Sequence, residues 1–252
     1  MTDSAATTDT GTTSVRTVVL VHGAWHGAWC YAALQTELDR RGVPSLAVDL
    51  PGHGASLAPL TDLHGDARCV VDTLAVLGER GVESPVLVGH SYGGAVITQA
   101  AAWFPAVAHL VYLAAFALDD GESVMGALRA FPRHDVALSA AMRPLDDGTS
   151  VLDPAAAAAA LYGTCPPEVI PASLARISPQ PMATMLQAVE GSPRATIPST
   201  YVLCTEDQAV HPEHQRIMAA RCGRTVELVT DHSPFLSAIG PTADLLVELA
   251  SV

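Results

Sequence analysis

Residues 86–94 read Val-Leu-Val-Gly-His-Ser-Tyr-Gly-Gly, and few backbone paths accommodate that order. The apolar run from Val86 predicts a short buried strand. The alanine-rich stretch from Ala95 to Ala102 predicts a helix. Between the two there is room only for a sharp turn with Ser91 at its apex. Bulky side chains two positions to either side would obstruct that turn, and Gly89 and Gly93 leave it free. The turn pushes the Ser91 hydroxyl out at the end of a strand. The helix behind it directs backbone N–H groups at any negative charge that develops there. Ser91 is therefore a candidate nucleophile. The plain alternative is a glycine-rich turn around a buried serine, and the Pro-Val-Leu-Val lead-in together with the helix-forming sequel argues against it.

The rest of the N-terminal half repeats the theme. Residues 17–21 (Thr-Val-Val-Leu-Val) predict a buried strand that ends at His22-Gly23. Apolar residues from Trp29 to Arg41 recur at helical spacing, with Gly42 as a stop. Residues 45–50 predict a second strand, followed by the loop Pro51-Gly52-His53-Gly54. A helix over 62–80, the strand at Val86, its helix to about Phe104 and a strand over 109–115 follow. Strands alternating with helices imply a parallel sheet covered on both faces, with right-handed crossovers. Chemistry in such a sheet belongs at the carboxyl ends of its strands, where His22-Gly23, Pro51 to His53 and Ser91 all fall.

The alternation breaks over 119–198. Ten of the 18 prolines and four of the six methionines (Met125, Met142, Met182 and Met185) lie there. Helical pieces are predicted at 154–162 and 181–189, and no strand stands out. The stretch reads as a helical lid inserted into a core formed by 15–118 and 199–252. Methionines on a lid suit an adaptable apolar pocket, and the alternative is that they pack the lid onto the body. The sheet resumes over 200–204. A helix over 212–221, a strand over 225–229, the loop Asp231-His232-Ser233-Pro234 and a closing helix to about Leu249 complete the chain. Residues 1–14 lack the basic start and apolar run of a signal peptide and read as a disordered tail.

Composition excludes several classes. With 26 Asp+Glu against 13 Lys+Arg and a net charge of −13, neither nucleic acid nor an anionic membrane surface is an expected partner. No apolar stretch is long enough to span a bilayer. Cys30, Cys69, Cys165, Cys204 and Cys222 are odd in number and irregular in spacing, which fits reduced thiols in a cytoplasmic protein. The pairs His211/His214 and His22/His26 lack an acidic or cysteine companion at ligand spacing, so no metal is expected.

A serine hydroxyl needs a base within hydrogen-bond reach, and the base needs a carboxylate to fix its tautomer. His232 follows the last strand and lies in a loop, the place for a base. Asp207 follows the strand before it, and the order Ser91, Asp207, His232 suits an elbow of this kind. Asp119 is the rival acid, Glu206 adjoins Asp207, and Asp231 is placed to shape the turn. Two N–H donors are expected for an oxyanion: Tyr92 from the elbow, and Ala24 from the loop after the first strand.

Together these residues resemble the α/β-hydrolase superfamily over nearly the whole chain after residue 14. The segment from His22 to Tyr31 (His-Gly-Ala-Trp-His-Gly-Ala-Trp-Cys-Tyr) resembles the plant methylesterase and hydroxynitrile lyase group and its bacterial relatives. Val202 to Asp207 is similar to that group's acid-bearing segment, which favours Asp207 over Asp119. The resemblance implies an α/β-hydrolase fold, carboxylesterase activity, no cofactor and a site roofed by the lid. The lyases of the group resemble His-Thr at the oxyanion loop and carry a lysine after the catalytic histidine. Gly23 and Ser233 stand there instead, which counts against cyanohydrin cleavage. The serine at position 91 counts against the aspartate-dependent epoxide hydrolases and dehalogenases.

The expectation is an esterase that cleaves a small hydrophobic ester, thioester or lactone through an acyl-enzyme, with Trp25, Trp29, Met125 and Met182 contacting the substrate. The alternatives are a lyase or cyclase using the same site, and a small-molecule binding protein. An exposed apolar face on the lid would also permit a homodimer.

Overall fold

A computed structural model describes residues 15–251; the tail expected over 1–14 lies outside the described residues. Six parallel strands form the central sheet: β1 (Val18–Val21), β2 (Ser45–Val48), β3 (Val86–His90), β4 (His109–Leu113), β8 (Ser199–Cys204) and β9 (Arg224–Leu228), in the order β2-β1-β3-β4-β8-β9. Because strand side chains alternate between faces, Val19, Val21, Leu87, Leu110 and Tyr201 enter one core. Val18, Leu20, Val86, Val88 and Val111 enter the other. The first core is closed by α2 (Leu63–Glu79), α3 (Gly93–Trp103) and α9 (Pro212–Ala219). The second is closed by α1 (Ala32–Arg40), α10 (Pro234–Ser237) and α11 (Ile239–Ala250). Burial on both sides is what requires near-continuous apolar strands, and it explains why β3 and β8 are buried along their whole lengths.

Local sequence sets several element ends. Asp62 caps α2 by accepting the Gly65 N–H at 2.9 Å, as an N-cap aspartate does. The helix expected from Trp29 begins instead as a 3-10 turn, Ala28–Tyr31, and becomes α-helical only at Ala32.

The segment over 119–198 contributes no strand to the central sheet. It carries α4 (Val124–Ala130), α5 (Ala137–Ala141), α6 (Pro154–Leu161), α7 (Ile170–Leu174) and α8 (Ala183–Leu186). It is not wholly helical. Strands β5 (Met142–Pro144), β6 (Thr149–Leu152) and β7 (Gln180–Pro181) form a small antiparallel sheet in the order β5-β6-β7. These strands are two to four residues long, too short for an alternation to register. Pro144 and Pro181 lie on its outer strands, where a missing N–H is tolerated. The helix expected over 181–189 is confined to α8, because the Gln187 side chain and the Ala188 carbonyl turn outward to bond His64 on α2.

Candidate active site

The carboxyl ends of β1, β3, β8 and β9 converge on one rim. At β3 the chain reverses through Ser91, whose φ of 52° lies in the left-handed region. A non-glycine residue there is strained and persists only where its surroundings hold it. The Ser91 N–H donates to the Leu113 carbonyl at 3.2 Å, and its own carbonyl accepts from Gly94 and Phe116 at 3.0 Å each. The turn closes because its flanks are glycine. A Cβ on Gly93 would stand 2.6 Å from the Val21 carbonyl oxygen, and one on Gly89 would collide with the Gly93 carbonyl. Among the described residues the Ser91 hydroxyl has no hydrogen-bond partner, and the residue lines a cavity of about 290 Å³.

His232 and Asp207 form a buried pair at the same rim. Their exposures are 2% and 0%, and His232 Nδ1 stands 2.7 Å from Asp207 Oδ2. The carboxylate is saturated. Oδ2 also accepts from Gln215 Nε2 at 2.8 Å, while Oδ1 accepts the N–H groups of Ala209 at 2.7 Å and Val210 at 2.9 Å. An acceptor-only carboxylate places the imidazole proton on Nδ1 and leaves the Nε2 lone pair free. His232 is held from behind as well. Its carbonyl accepts from His90 Nε2 at 2.8 Å, and the two rings lie 4.5 Å apart, beside Ser91. Asp119, the rival acid, pairs instead with Arg194 at 2.5 Å and Arg221 at 3.4 Å. Asp231 shapes its turn by accepting from the Ser233 N–H and the Ser237 hydroxyl, and it binds the Thr164 N–H of the lid.

The loop after β1 completes the rim. The backbone N–H groups of Ala24 and Tyr92 have no partner among the described residues, and both residues are buried at the cavity wall. Trp25, at φ 62°, is stitched to the lid. Its N–H donates to Gln180 Oε1 at 3.2 Å, its indole N–H to Ser150 at 3.2 Å, and its carbonyl accepts the Ser178 N–H at 2.9 Å. Met125 and Met182 line the cavity, as do Met142 and Met185. Trp29 does not. It lies in the 3-10 turn behind the loop, stacked on His26 at 5.5 Å with the Arg176 guanidinium 4.9 Å over its ring. The supporting residues Gln215, Gln180, Ser150 and Thr164 have no sequence signal; each acts across a contact that only folding creates. A wider groove of about 550 Å³ runs beside α2 between Leu46 and Arg80; Ser56, Cys69 and Thr73 line it, and among the described residues no histidine does.

Burial dominates the electrostatics. His22 is held neutral, its pKa lowered to about 3, and that of His26 to about 4, with desolvation the main cause in both. His90 is lowered strongly by burial and then by the neighbouring His232. Asp66 accepts the Tyr92 hydroxyl at 2.7 Å, yet burial raises its pKa to about 7. The three histidines titrate near 6.5 when unfolded, so below that pH the unfolded chain binds more protons and stability falls. Asp66 acts in the opposite sense. Its protonated form is favoured in the fold, so its contribution is present at low pH and is lost as pH rises through about 7. The three histidines outweigh Asp66, so melting temperature is expected to fall as pH drops below about 6.5 and to stay level above about 7. Asp66 opposes the histidines between about pH 4 and 7, so Asp66→Asn is expected to steepen the acid-side loss. A melting profile level from pH 8 to pH 5 would contradict this account.

Among the described residues no group of three His, Cys, Asp or Glu converges to hold a metal, and no helix is long and apolar enough to cross a membrane. Residues 18–245 match the alpha/beta hydrolase family. The alpha/beta hydrolase nvfD of Aspergillus novofumigatus is 29% identical over 92% of this chain and 94% of its own. The crystal structure of the methylesterase MES16 from Arabidopsis superposes with a TM-score of 0.77 at 27% identity, covering 93% of this chain and 98% of its own. That of a pyrethroid hydrolase from Sphingobium faniae gives a TM-score of 0.82 at 26% identity, covering 94% and 98%.

Proposed function

The chain belongs to the alpha/beta hydrolase family, and from that premise we propose that it is a serine hydrolase cleaving a carboxylic ester of a small, largely apolar substrate. The observation that carries the reading is the buried Asp207–His232 pair, which leaves Nε2 of the imidazole free at the strand end where a left-handed Ser91 presents an unbonded hydroxyl.

Ser91 Oγ attacks the ester carbonyl carbon while His232 Nε2 takes the hydroxyl proton. The N–H groups of Ala24 and Tyr92 receive the oxyanion, a donor of this type contributing about 3 kcal/mol in the transition state. The intermediate collapses, His232 returns the proton to the departing alcohol, and an acyl group remains on Ser91. Water, deprotonated by His232, attacks the acyl carbon; Ser91 leaves and recovers its proton, and the acid departs. Asp207 holds the imidazole in the required tautomer and stabilises its charged form. The methylesterase and the pyrethroid hydrolase among the structural relatives support ester cleavage. The cavity's size and its methionine-rich wall support a small apolar substrate.

Treatment with a fluorophosphonate is expected to place one adduct per chain, located at Ser91 by peptide mass spectrometry, and to abolish hydrolysis of p-nitrophenyl butyrate in proportion. An unlabelled protein inactive on short-chain p-nitrophenyl esters would sink the reading.

A further inference from the structure

Away from Ser91, the wall of the same cavity changes character. Arg133 and His134, from the connection between α4 and α5, and His211 and His214, at the start of α9, all line it. Among the described residues no carboxylate lines the cavity, although acidic side chains outnumber lysine and arginine by 26 to 13 in the chain. The two segments are tied together: His214 Nε2 donates to the Pro132 carbonyl at 2.6 Å, and the Leu138 N–H donates to the Gln208 carbonyl at 3.0 Å. The rings of His134 and His211 stack 3.9 Å apart and 7° from parallel, and His214 lies 5.4 Å from His134 and 6.0 Å from His211.

Arg133, His134 and His211 are left free to act outward, whereas His214 is engaged with the Pro132 carbonyl. His211 Nδ1 accepts the Glu213 N–H at 3.2 Å, so the neutral ring carries its proton on Nε2 as a donor. His134 has no hydrogen-bond partner and Arg133 no ion pair among the described residues. The acids beside them in the chain, Asp135 and Glu213, lie off the cavity wall. Glu213 is paired with Arg216 at 2.6 Å, and Asp135 points to no partner among the described residues. Stacked rings hold their lone pairs in parallel planes, so the cluster does not converge on a cation. Protonating a second ring beside the first is opposed by like charge, and burial together with His134 and His214 already lowers the proton affinity of His211. A bound anion reverses that balance, and it supplies the acceptor that the guanidinium and the ring N–H groups lack.

We propose that this rim is a carboxylate-binding subsite, and that the ester cleaved at Ser91 has an acyl part bearing a free carboxylate at its far end, beyond an apolar spacer that lies along the methionine wall. The acyl side is assigned because it stays tethered to Ser91 through both half-reactions, so a subsite that serves both steps must hold it. Hydrolysis of such a half-ester consumes water and yields the dicarboxylic acid and the alcohol. The substrate class rests on the serine-hydrolase reading; the subsite itself does not.

The test compares monomethyl esters of straight-chain diacids, from glutaric to sebacic acid, with methyl esters of the matching monocarboxylic acids. At one or more spacer lengths the half-ester is expected to show a kcat/KM at least about tenfold above its neutral counterpart, the scale of one charge-assisted hydrogen bond. Combining Arg133→Gln with His211→Gln is expected to collapse that ratio to near one. Arg129→Gln, an exposed arginine off the cavity wall, is expected to preserve it. Neutral esters cleaved as fast at every length, or a ratio lost equally in Arg129→Gln, would overturn the proposal. Calorimetry with Ser91→Ala separates the two readings. Diacids binding Ser91→Ala about tenfold tighter than monoacids, with the wild-type protein hydrolysing neither ester, uphold the subsite and refute the hydrolase; equal binding refutes the subsite whatever the activity.

Discussion

Ser91→Ala is expected to lower kcat on p-nitrophenyl butyrate by about four to six orders of magnitude, the loss typical of removing a nucleophile that acts as one unit with its base. The fold should survive the change. Ser91 already occupies a left-handed conformation, alanine is no more strained there, and among the described residues the hydroxyl makes no bond whose loss would cost stability. The Ala24 and Tyr92 N–H groups remain in place, so a residual rate above the uncatalysed reaction is expected. Steady-state kinetics and a thermal melt on one preparation decide the matter. Activity within about tenfold of the wild type, with an unchanged melting temperature, would remove Ser91 from the reaction.

Asp207→Asn is expected to lower kcat by about four orders of magnitude at neutral pH. The reason lies in the four bonds that the carboxylate accepts. The N–H groups of Ala209 and Val210 occupy Oδ1, which directs an asparagine to place its carbonyl oxygen there and its amide nitrogen at the Oδ2 position. That nitrogen then faces Gln215 Nε2 and His232 Nδ1, two groups that donate in the native protein. The imidazole can meet it only by accepting at Nδ1, which moves the ring proton to Nε2 and leaves no lone pair toward Ser91. The defect is one of tautomer, so it appears in kcat far more than in KM. The nitrogen resonances of the His232 ring report the tautomer directly, and an unchanged Nδ1–H signal in Asp207→Asn with full activity would contradict the assignment.

Most of the architecture was legible because a parallel sheet buried on both faces demands runs such as Val18–Val21 and Val86–Val88. The elbow was legible because Gly89 and Gly93 meet backbone atoms within a few residues or one strand away. The lid was less so. The strands β5 to β7 are too short to show a period, and the contacts that hold them come from Trp25, more than a hundred residues earlier. Trp29 shows the same limit from the other side. Its place in the His-Gly-Ala-Trp-His-Gly-Ala-Trp run resembles that of Trp25, yet the 3-10 turn carries it behind the loop to stack on His26.

Local order along the chain determined the strand–turn–helix at Ser91, the alternation that makes the sheet parallel, and the placing of Asp207 and His232 just past successive strands. These features depend on propensity and on near neighbours, which are written in the chain itself. Folding decided which acid meets the imidazole, which methionines face the cavity, and that Arg133, His134, His211 and His214 share one wall. Those are relations between segments tens to hundreds of residues apart. Their energies come from burial and from bonds that do not exist until the segments pack, so no window of sequence carries them.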